Sequence, residues 1–416
     1  MATSLSRLGT ANTYDLAMRN LTARQTKLAD LQENLTSGKR VVRPSDDPTG
    51  AAQAERSLTR LARIATDQRA LEAQKNSIAS AESTLGDITS ALQRFRELTV
   101  SAGNGNNTAA ERRTIAVELQ GLREQVLTMA NRKDNNGLPL FAALGSGQVP
   151  FAGPNSPPAD YSFLGLPGQA AASENAIPGT LDGESAFMLQ TRRDGAYNVS
   201  MTQIPVDRTL QTGPVKVVNP ALVNGSSYSI TIDAVSTVAG TTTVTYSVAE
   251  GPPVSGPAQT GLTASFPSNL PPSFTITAMP GLSMAVNGLP VAGDTITVDT
   301  SPSIFSVMDD AIRDIGTAVN ANAASQAVAQ ALGNLDIGME RVSAVRGQAG
   351  DLLNRADRIT STQESRSIQL EADRSRAEDL DMIKGFADFQ NQKTGYSAAL
   401  QSYAQVQKLS LFNFIG

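Results

Sequence analysis

The feature that most constrains this chain is a set of apolar side chains that recur every seven residues near both of its ends. Near the start these are Tyr14, Leu21, Leu28 and Leu35. Near the end they are Phe389, Tyr396 and Tyr403, with Phe386 and Leu400 beside them. A seven-residue spacing places such side chains on one face of a helix. Because a helix does not bury its own apolar stripe, the pattern predicts helices that pack against other helices, of the same chain or of another.

A second predicted helix spans about 48–102 and is well delimited. Gly38 has the position of a C-terminal cap for the helix before it, and Asp47-Pro48 provides an N-cap followed by a proline at the first helical position. Thr108 and Glu111 predict a capping box at the start of a third helix. Apolar residues at heptad spacing continue through both helices: Ile64, Leu71, Ile78, Leu85, Leu92, Ile115, Leu119, Leu122, Val126 and Met129.

The last third of the chain shows the same helical periodicity. Its stripe comprises Val307, Ala311, Ile315, Val319, Leu335, Val342, Val345, Ala349, Leu352, Ala356 and Ile359. Between 360 and 379 the sequence is mostly polar, and an acidic run from Glu371 to Asp381 contains Arg374 and Arg376. Such a run favours a solvated helix face with ion pairs three or four residues apart.

The middle of the chain has a different composition. Between 141 and 300 lie 17 of the 21 prolines. Alternating apolar and polar residues predict strands at 228–235, 241–248 and 295–298, with Gly240 in a turn. Asn224-Gly225 and Asn287-Gly288 are dipeptides typical of hairpin turns, whereas 145–185 and 250–272 have the composition of long loops. The fold class predicted is α+β and multi-domain: a long coiled-coil-like helical bundle from both termini with an inserted β-rich domain.

Composition removes several kinds of chemistry. The 416 residues include no cysteine and no histidine, so thiolate chemistry and the commonest zinc ligand are absent. The net charge of −5 favours neither nucleic acid nor an anionic membrane as a partner. No apolar run has the length of a membrane span or the form of a cleaved secretory signal. Asp46 and Asp47 are adjacent carboxylates, but capping explains them better than acid–base work or cation binding. We expect no catalytic, cofactor or metal site.

Two distant motifs resemble the flagellin superfamily. The first is LTSGKRVVRPSDDPTGAA at 35–52, whose KRVV start and PSDDP loop are most similar to the hook–filament junction branch, hook-associated protein 3. The second is the closing segment ALQSYAQVQKLSLFNFI at 399–415, and DNNGLPLF at 134–141 resembles that family's end of the N-terminal helical region. The resemblance covers about 140 residues at the front and about 115 at the back.

The resemblance implies a structural role rather than an enzymatic one. Its implied partners are hook-associated protein 1, flagellin, further copies of the chain in a ring, and an export chaperone. Its implied location is the extracellular flagellum, reached without a cleaved signal peptide. Residues expected to contact subunits or the chaperone are Leu21, Leu28, Leu35, Phe386, Phe389, Tyr396, Leu400, Tyr403, Leu409, Leu411 and Phe412, with Asp47 and Pro48 as a structural cap.

The corresponding domain prediction has four parts. Residues 1–45 form an assembly helix, 46–140 and 301–384 a paired helical bundle, 141–300 the outward β-rich domain, and 385–416 the assembly and chaperone-binding helix. Spacing alone leaves open a bundle that closes within one molecule. A divergent flagellin, and a hydrolase or sugar-binding β domain on helical arms, are the alternative functions.

Overall fold

The computed structural model describes the backbone of residues 3–145, 149–155, 160–203 and 208–415, with the side chains of residue 12 and, within these ranges, of 14–405. The described helices are α1 Thr3–Ser37, α2 Pro48–Ala102, α3 Ala109–Ala130, α4 Gly183–Phe187, α5 Thr191–Asp194, α6 Ile304–Thr317, α7 Ala321–Glu378 and α8 Met382–Ile415. The described strands are β1 Phe151–Ala152, β2 Ser162–Phe163, β3 Tyr197–Thr202, β4 Gln211–Thr212, β5 Lys216–Val217, β6 Tyr228–Val238, β7 Thr241–Glu250, β8 Gln259–Pro267, β9 Ser273–Ile276, β10 Leu282–Asn287 and β11 Thr295–Thr300.

This architecture confirms the predicted fold class. Long helices come from both ends of the chain, and antiparallel sheets are inserted between them. The chain forms two compact units: 1–69 with 360–416, and 70–359. Both divisions fall inside long helices, since α2 and α7 each contribute residues to the two units. The four predicted domains were divided by composition, whereas these two units are divided by their internal contacts. The predicted domain boundaries therefore stay a prediction.

A heptad seam forms the helical core of the 70–359 unit. Leu71, Ile78, Leu85 and Leu92 of α2 are buried together with Leu335, Val342, Val345, Ala349 and Ala356 of α7. The seam is therefore closed within one molecule.

Ion pairs along the rim of this seam define how α2 and α7 run. Lys75 Nζ lies 2.7 Å from an Asp357 carboxylate oxygen, and Arg96 Nε lies 2.8 Å from Asp336. The partner on α7 thus has a lower residue number as the residue number on α2 rises, so the two helices are antiparallel. Exposed pairs of this kind contribute little stability, and the buried apolar seam is the main stabilising element.

Helix α6 packs along α3 and ends earlier than its stripe suggested. Val307, Ala311 and Ile315 are buried as predicted. The inclusion of Val319 was wrong, because α6 ends at Thr317 and the valine side chain is 66 % exposed.

The segment after α3 joins the helical core instead of the sheets. Phe141, Phe151, Phe187 and Phe305 form a buried aromatic cluster with ring centroids 5.2–5.7 Å apart. Loops 145–185 are mostly irregular, as predicted, and their aromatic side chains attach them to α6.

The β-rich part has its own apolar core. Five antiparallel strands lie in the order β3-β11-β6-β7-β8, and β9, β4 and β5 pair with β10 in a second sheet. Along β7, Thr242, Val244, Tyr246 and Val248 are buried and the residues between them are not. The strands predicted at 228–235, 241–248 and 295–298 are confirmed as parts of β6, β7 and β11.

Two predictions about turns and loops in the middle were wrong. Neither Asn224-Gly225 nor Asn287-Gly288 closes a hairpin, since the strands that flank each dipeptide do not pair with one another. The hairpin turn between β6 and β7 is Ala239-Gly240, where both residues have a positive φ, as a type I′ turn requires. Segment 250–272 contains β8, an edge strand whose Leu262, Ala264 and Phe266 alternate between polar residues.

Three amide side chains of α7 hold the sheets against this helix. Gln326, Gln330 and Asn334 are buried at a spacing of four residues, which puts them on one helix face. Gln326 Oε1 accepts from the amide of Thr212 at 2.8 Å, and Gln330 Nε2 donates to the carbonyl oxygen of Gly213 at 2.8 Å. Asn334 Nδ2 donates to the carbonyl of Tyr197 at 2.8 Å. We call these three residues the amide ladder.

Replacing Gln330 by alanine tests the amide ladder. The substitution removes the donor to the partly buried carbonyl oxygen of Gly213, so we expect the free energy of unfolding to fall by about 1–3 kcal/mol. Urea unfolding of the full chain measures it. The matched control is Gln125→Ala on the exposed face of α3, and equal effects of the two substitutions would contradict the role of the ladder.

Candidate assembly interface

Helices α1 and α8 pack along each other within the unit formed by 1–69 and 360–416. Their heptad residues, Leu21, Leu28 and Leu35 on α1 and Phe389, Tyr396 and Tyr403 on α8, are half-buried. The rings of Tyr14 and Tyr403 meet edge to face with centroids 5.8 Å apart. The heptad stripes of both ends therefore lie at one helix pair, but this pair alone does not exclude water from them.

Other predicted contact residues lie away from this pairing. Phe386 is 58 % exposed and Leu400 is 43 % exposed. On α1, Leu16 and Met18 are also exposed. Leu409, Leu411 and Phe412 lie outside the residues whose side chains are described. A two-helix pair with apolar side chains on its flanks leaves surface that further helices can cover.

A polar joint holds together the ends of four helices in the same unit. We use "the joint" for residues 38–47 and 377–381, which connect α1 to α2 and α7 to α8. Gly38 has φ +71°, a left-handed conformation that ends α1, and its carbonyl oxygen accepts from the amide of Leu380 at 2.9 Å. The amide of Arg40 donates to the carbonyl of Glu378 at 2.7 Å. The two connections thus pair as short antiparallel backbone segments.

Charged side chains reinforce the joint. The guanidinium of Arg40 donates to the carbonyl of Ala377 at 2.7 Å and to the Asp47 carboxylate at 3.1 Å. Lys39 forms an ion pair with Glu378. A single arginine therefore links the end of α7 to the start of α2. Sequence reasoning placed Arg40 in a motif but did not find this role, because its partner carbonyl lies 337 residues away.

Each of the two adjacent carboxylates binds backbone amides. Asp47 accepts from the amide of Gly50 at 3.0 Å and from the Thr49 hydroxyl at 2.8 Å, as an N-cap of α2 does, and Pro48 is the first helical residue. The Oδ2 atom of Asp46 accepts from the amide of Arg43 at 2.8 Å. The hydrogen bonds from Gly50, Thr49 and Arg40 lower the pKa of Asp47 from its ordinary 3.8 to about 2.

Gly385 lets Leu35 approach α8 closely. A Cβ atom at this glycine would lie 2.8 Å from a methyl carbon of Leu380 and 3.4 Å from one of Leu35. Sequence reasoning missed Gly385, although a glycine in the first turn of a predicted helix is the signal that could have indicated it.

The acidic run that follows Glu371 forms pairs within α7. Arg374 contacts Glu371, and Arg376 contacts Asp373, both at a spacing of three residues. In the residues that the structure describes, no group of three or more carboxylates is arranged to hold a metal ion. None of the described helices is both long and apolar enough to cross a membrane.

A comparison with protein families finds a match in the N-terminal third of the chain. The model of the bacterial flagellin N-terminal helical region matches residues 9–145, which include most of α1, the first half of the joint, α2 and α3. This chain carries a flagellin-type N-terminal helical region. The predicted resemblance to the flagellin superfamily is confirmed.

Relatives of this chain carry the names of flagellar proteins. Flagellar hook-associated protein 3 of Salmonella typhimurium is 37 % identical over 154 residues, 35 % of this chain and 46 % of the relative. Phase 1 flagellin of Salmonella naestved is 30 % identical over 127 residues, 30 % of this chain and 25 % of the relative. The chain thus spans less than half the length of these curated relatives.

A solved structure shares the fold of this chain over most of its length. The crystal structure of flagellar hook-associated protein 3 from Legionella pneumophila aligns with a TM-score of 0.60 and 24 % identity. It covers 76 % of this chain and 97 % of that one. At this identity the likeness establishes the fold: terminal helices with an inserted β-rich part.

The N-cap of α2 predicts a pH dependence at the joint. Because folding lowers the pKa of Asp47 to about 2, the ionised carboxylate stabilises the joint fully above about pH 4, and this contribution is lost as the pH falls through 2. We expect the NMR titration of the Asp47 carboxyl carbon to have its midpoint near 2 and to coincide with a shift of the Gly50 amide. The Asp47→Asn variant should lose the Gly50 shift, and Asp67→Asn, at a half-buried position of α2 outside the joint, should keep it. A midpoint near 3.8 would contradict the cap.

Half-burial predicts weak protection of the terminal helix pair. Amides near Leu28 and Tyr396 should exchange with solvent at least about tenfold faster than amides near Leu85, because opening α1 from α8 exposes less apolar surface than opening the buried seam. Hydrogen exchange of the full chain followed by mass spectrometry measures this. Equal protection of the two regions would show that the helix pair is as stable as the seam.

Proposed function

We propose that this chain is a structural subunit of the bacterial flagellum at the junction between hook and filament. The observation that carries the proposal is the pairing of α1 with α8, which leaves half-buried heptads and exposed apolar flanks in a flagellin-type chain. Its support from relatives is the match to flagellar hook-associated protein 3 at 37 % identity. The terminal helices would complete their burial against neighbouring subunits, and the β-rich part would face outward.

The proposed partners follow the same reasoning. Hook-associated protein 1 would contact the subunit on the hook side, flagellin on the filament side, and further copies of the chain within a ring. Before assembly, an export chaperone would cover Phe386, Phe389, Tyr396, Leu400 and Tyr403, and the outermost Leu409, Leu411 and Phe412. The subunit would leave the cell without a cleaved signal peptide.

The proposed role needs no catalysis. Asp46 and Asp47 bind backbone amides, and Glu371 and Asp373 of α7 are paired with Arg374 and Arg376. Carboxylates committed to capping and ion pairing in this way are not free to act as general acids or bases.

Complementation tests the proposal. The gene should restore filament formation and motility, and stop loss of flagellin to the medium, in a strain whose own junction protein is deleted. Leu21→Asp with Leu28→Asp should abolish this, since charge in the helix stripe prevents burial. Gln25→Asp with Gln32→Asp places the same charges at exposed positions of α1, seven residues apart, and should complement. Continued loss of flagellin with the wild-type gene would refute the proposal.

A divergent flagellin is the second candidate, favoured by the 30 % identity to phase 1 flagellin. A flagellin adds subunits to filament seeds without limit, whereas a junction subunit stops after a short layer. Electron microscopy of purified chain with seeds distinguishes the two, because growth of long filaments would favour flagellin.

A further inference from the structure

An apolar pocket lies beside the joint. It has a volume of about 430 Å³ and is lined by Val41, Pro44, Pro48, Ala51 and Leu58, with Arg43, Glu55 and Glu378 among its charged residues. We call it the joint pocket. This volume exceeds that of any single side chain. Eight of its eleven lining residues are apolar, so an apolar group that entered it would lose contact with water there.

An apolar protrusion lies in the same compact unit, at the start of α8. We call Met382, Ile383 and Phe386 the α8 knob. All three are exposed, and Ile383, at 86 %, is the most exposed large apolar side chain in the part of the chain whose side chains are described. A partner that covers such a side chain removes its apolar surface from water, which lowers the free energy.

The α8 knob does not occupy the joint pocket of its own molecule. The amide of Leu380 donates to Gly38, and Asp381 Oδ1 accepts from the amides of Ile383 and Lys384 at 3.1 Å. These hydrogen bonds fix the direction in which α8 begins, and Ile383 remains exposed. A group that fills the pocket must therefore come from elsewhere.

Charge complementarity points to a second copy of this chain. Three exposed arginines, Arg56, Arg60 and Arg63, continue along α2 from the pocket at spacings of four and three residues. No ion pair of theirs is found within the described residues. Near the knob, Asp379 and Asp381 are exposed carboxylates, and together with the exposed Lys384 these three side chains carry a net charge of −1. An apolar knob with acidic neighbours thus matches an apolar pocket with basic neighbours on another copy.

We propose that the α8 knob of one copy inserts into the joint pocket of the next, with the α2 arginines facing the carboxylates before α8. The proposal rests on the proposed function, since it names the contact by which neighbouring subunits would assemble. The two surfaces are different patches of one molecule. A contact of this head-to-tail kind continues from copy to copy and builds a ring or a helical array.

Cysteine cross-linking tests the contact without interference, because the chain has no cysteine of its own. Leu58→Cys and Ile383→Cys chains, mixed at high concentration and mildly oxidised, should form a mixed disulfide dimer. The matched control pairs Ile383→Cys with Val117→Cys, an exposed apolar position of α3 outside both surfaces. We expect at least about tenfold more dimer from the first pair than from the control. A central interface side chain typically contributes a factor of about ten or more to affinity, and the control pair lacks that contact.

The double variant with both cysteines in one chain tests the array. It should form a ladder of dimers, trimers and larger species on a non-reducing gel. A product that stops at the dimer would refute the continuing array. Two results would refute the contact. One is a yield of mixed dimer no higher than that of the control pair, and the other is a disulfide formed mainly between two Ile383→Cys chains. Complementation by the same cysteine variants is scored separately, so failure of the contact is distinguishable from failure of the junction function.

Discussion

The buried seam between α2 and α7 is the constraint on which the rest of the structure depends. Its residues, among them Leu85, Leu92 and Leu335, are excluded from water. Burying a large aliphatic side chain contributes about 1.5–3 kcal/mol, and the seam repeats this at every second turn of the helices. The connections that follow α3, and α6 with them, pack onto a frame that these helices already provide. By contrast, the heptads of α1 and α8 are only half-buried, although their spacing is the same.

The joint shows how a chain without histidine or cysteine uses its charged groups. Arg40, Asp46 and Asp47 are committed to hydrogen bonds with backbone atoms of helix ends and connections. Helix ends leave amides and carbonyls without partners, so these charges satisfy a structural need. The same residues lie beside the joint pocket and the exposed arginines of α2. A motif that is structural within the subunit therefore also borders the surface we propose for contact with the next one.

The β-rich part depends on α7 for its position. The amide ladder forms hydrogen bonds with backbone groups of β3 and of the β4 region. Its members could not be identified from the sequence, because a glutamine on a helix is normally exposed and its hydrogen-bond partners lie more than 100 residues away. The edge strand β8 escaped prediction for a related reason. Its flanking prolines and small polar residues have the composition of a loop, and only its pairing with β7 makes it a strand.

Patterns in the sequence predicted the long helices, their stripes, the caps at Gly38 and Thr108, and three strands of the sheet. The sequence also carried the family resemblance, since all of these are signals between residues close together in the chain. Tertiary structure decided which stripes are buried, that Val319 lies beyond its helix, and that Phe386 and Ile383 face solvent. It also decided that Phe141, Phe151 and Phe187 join the helical core. A heptad specifies which face of a helix seeks a partner, but spacing carries no information on whether that partner lies in the same molecule. Only the packing of the whole chain separates the stripes that are closed within it from those left for another.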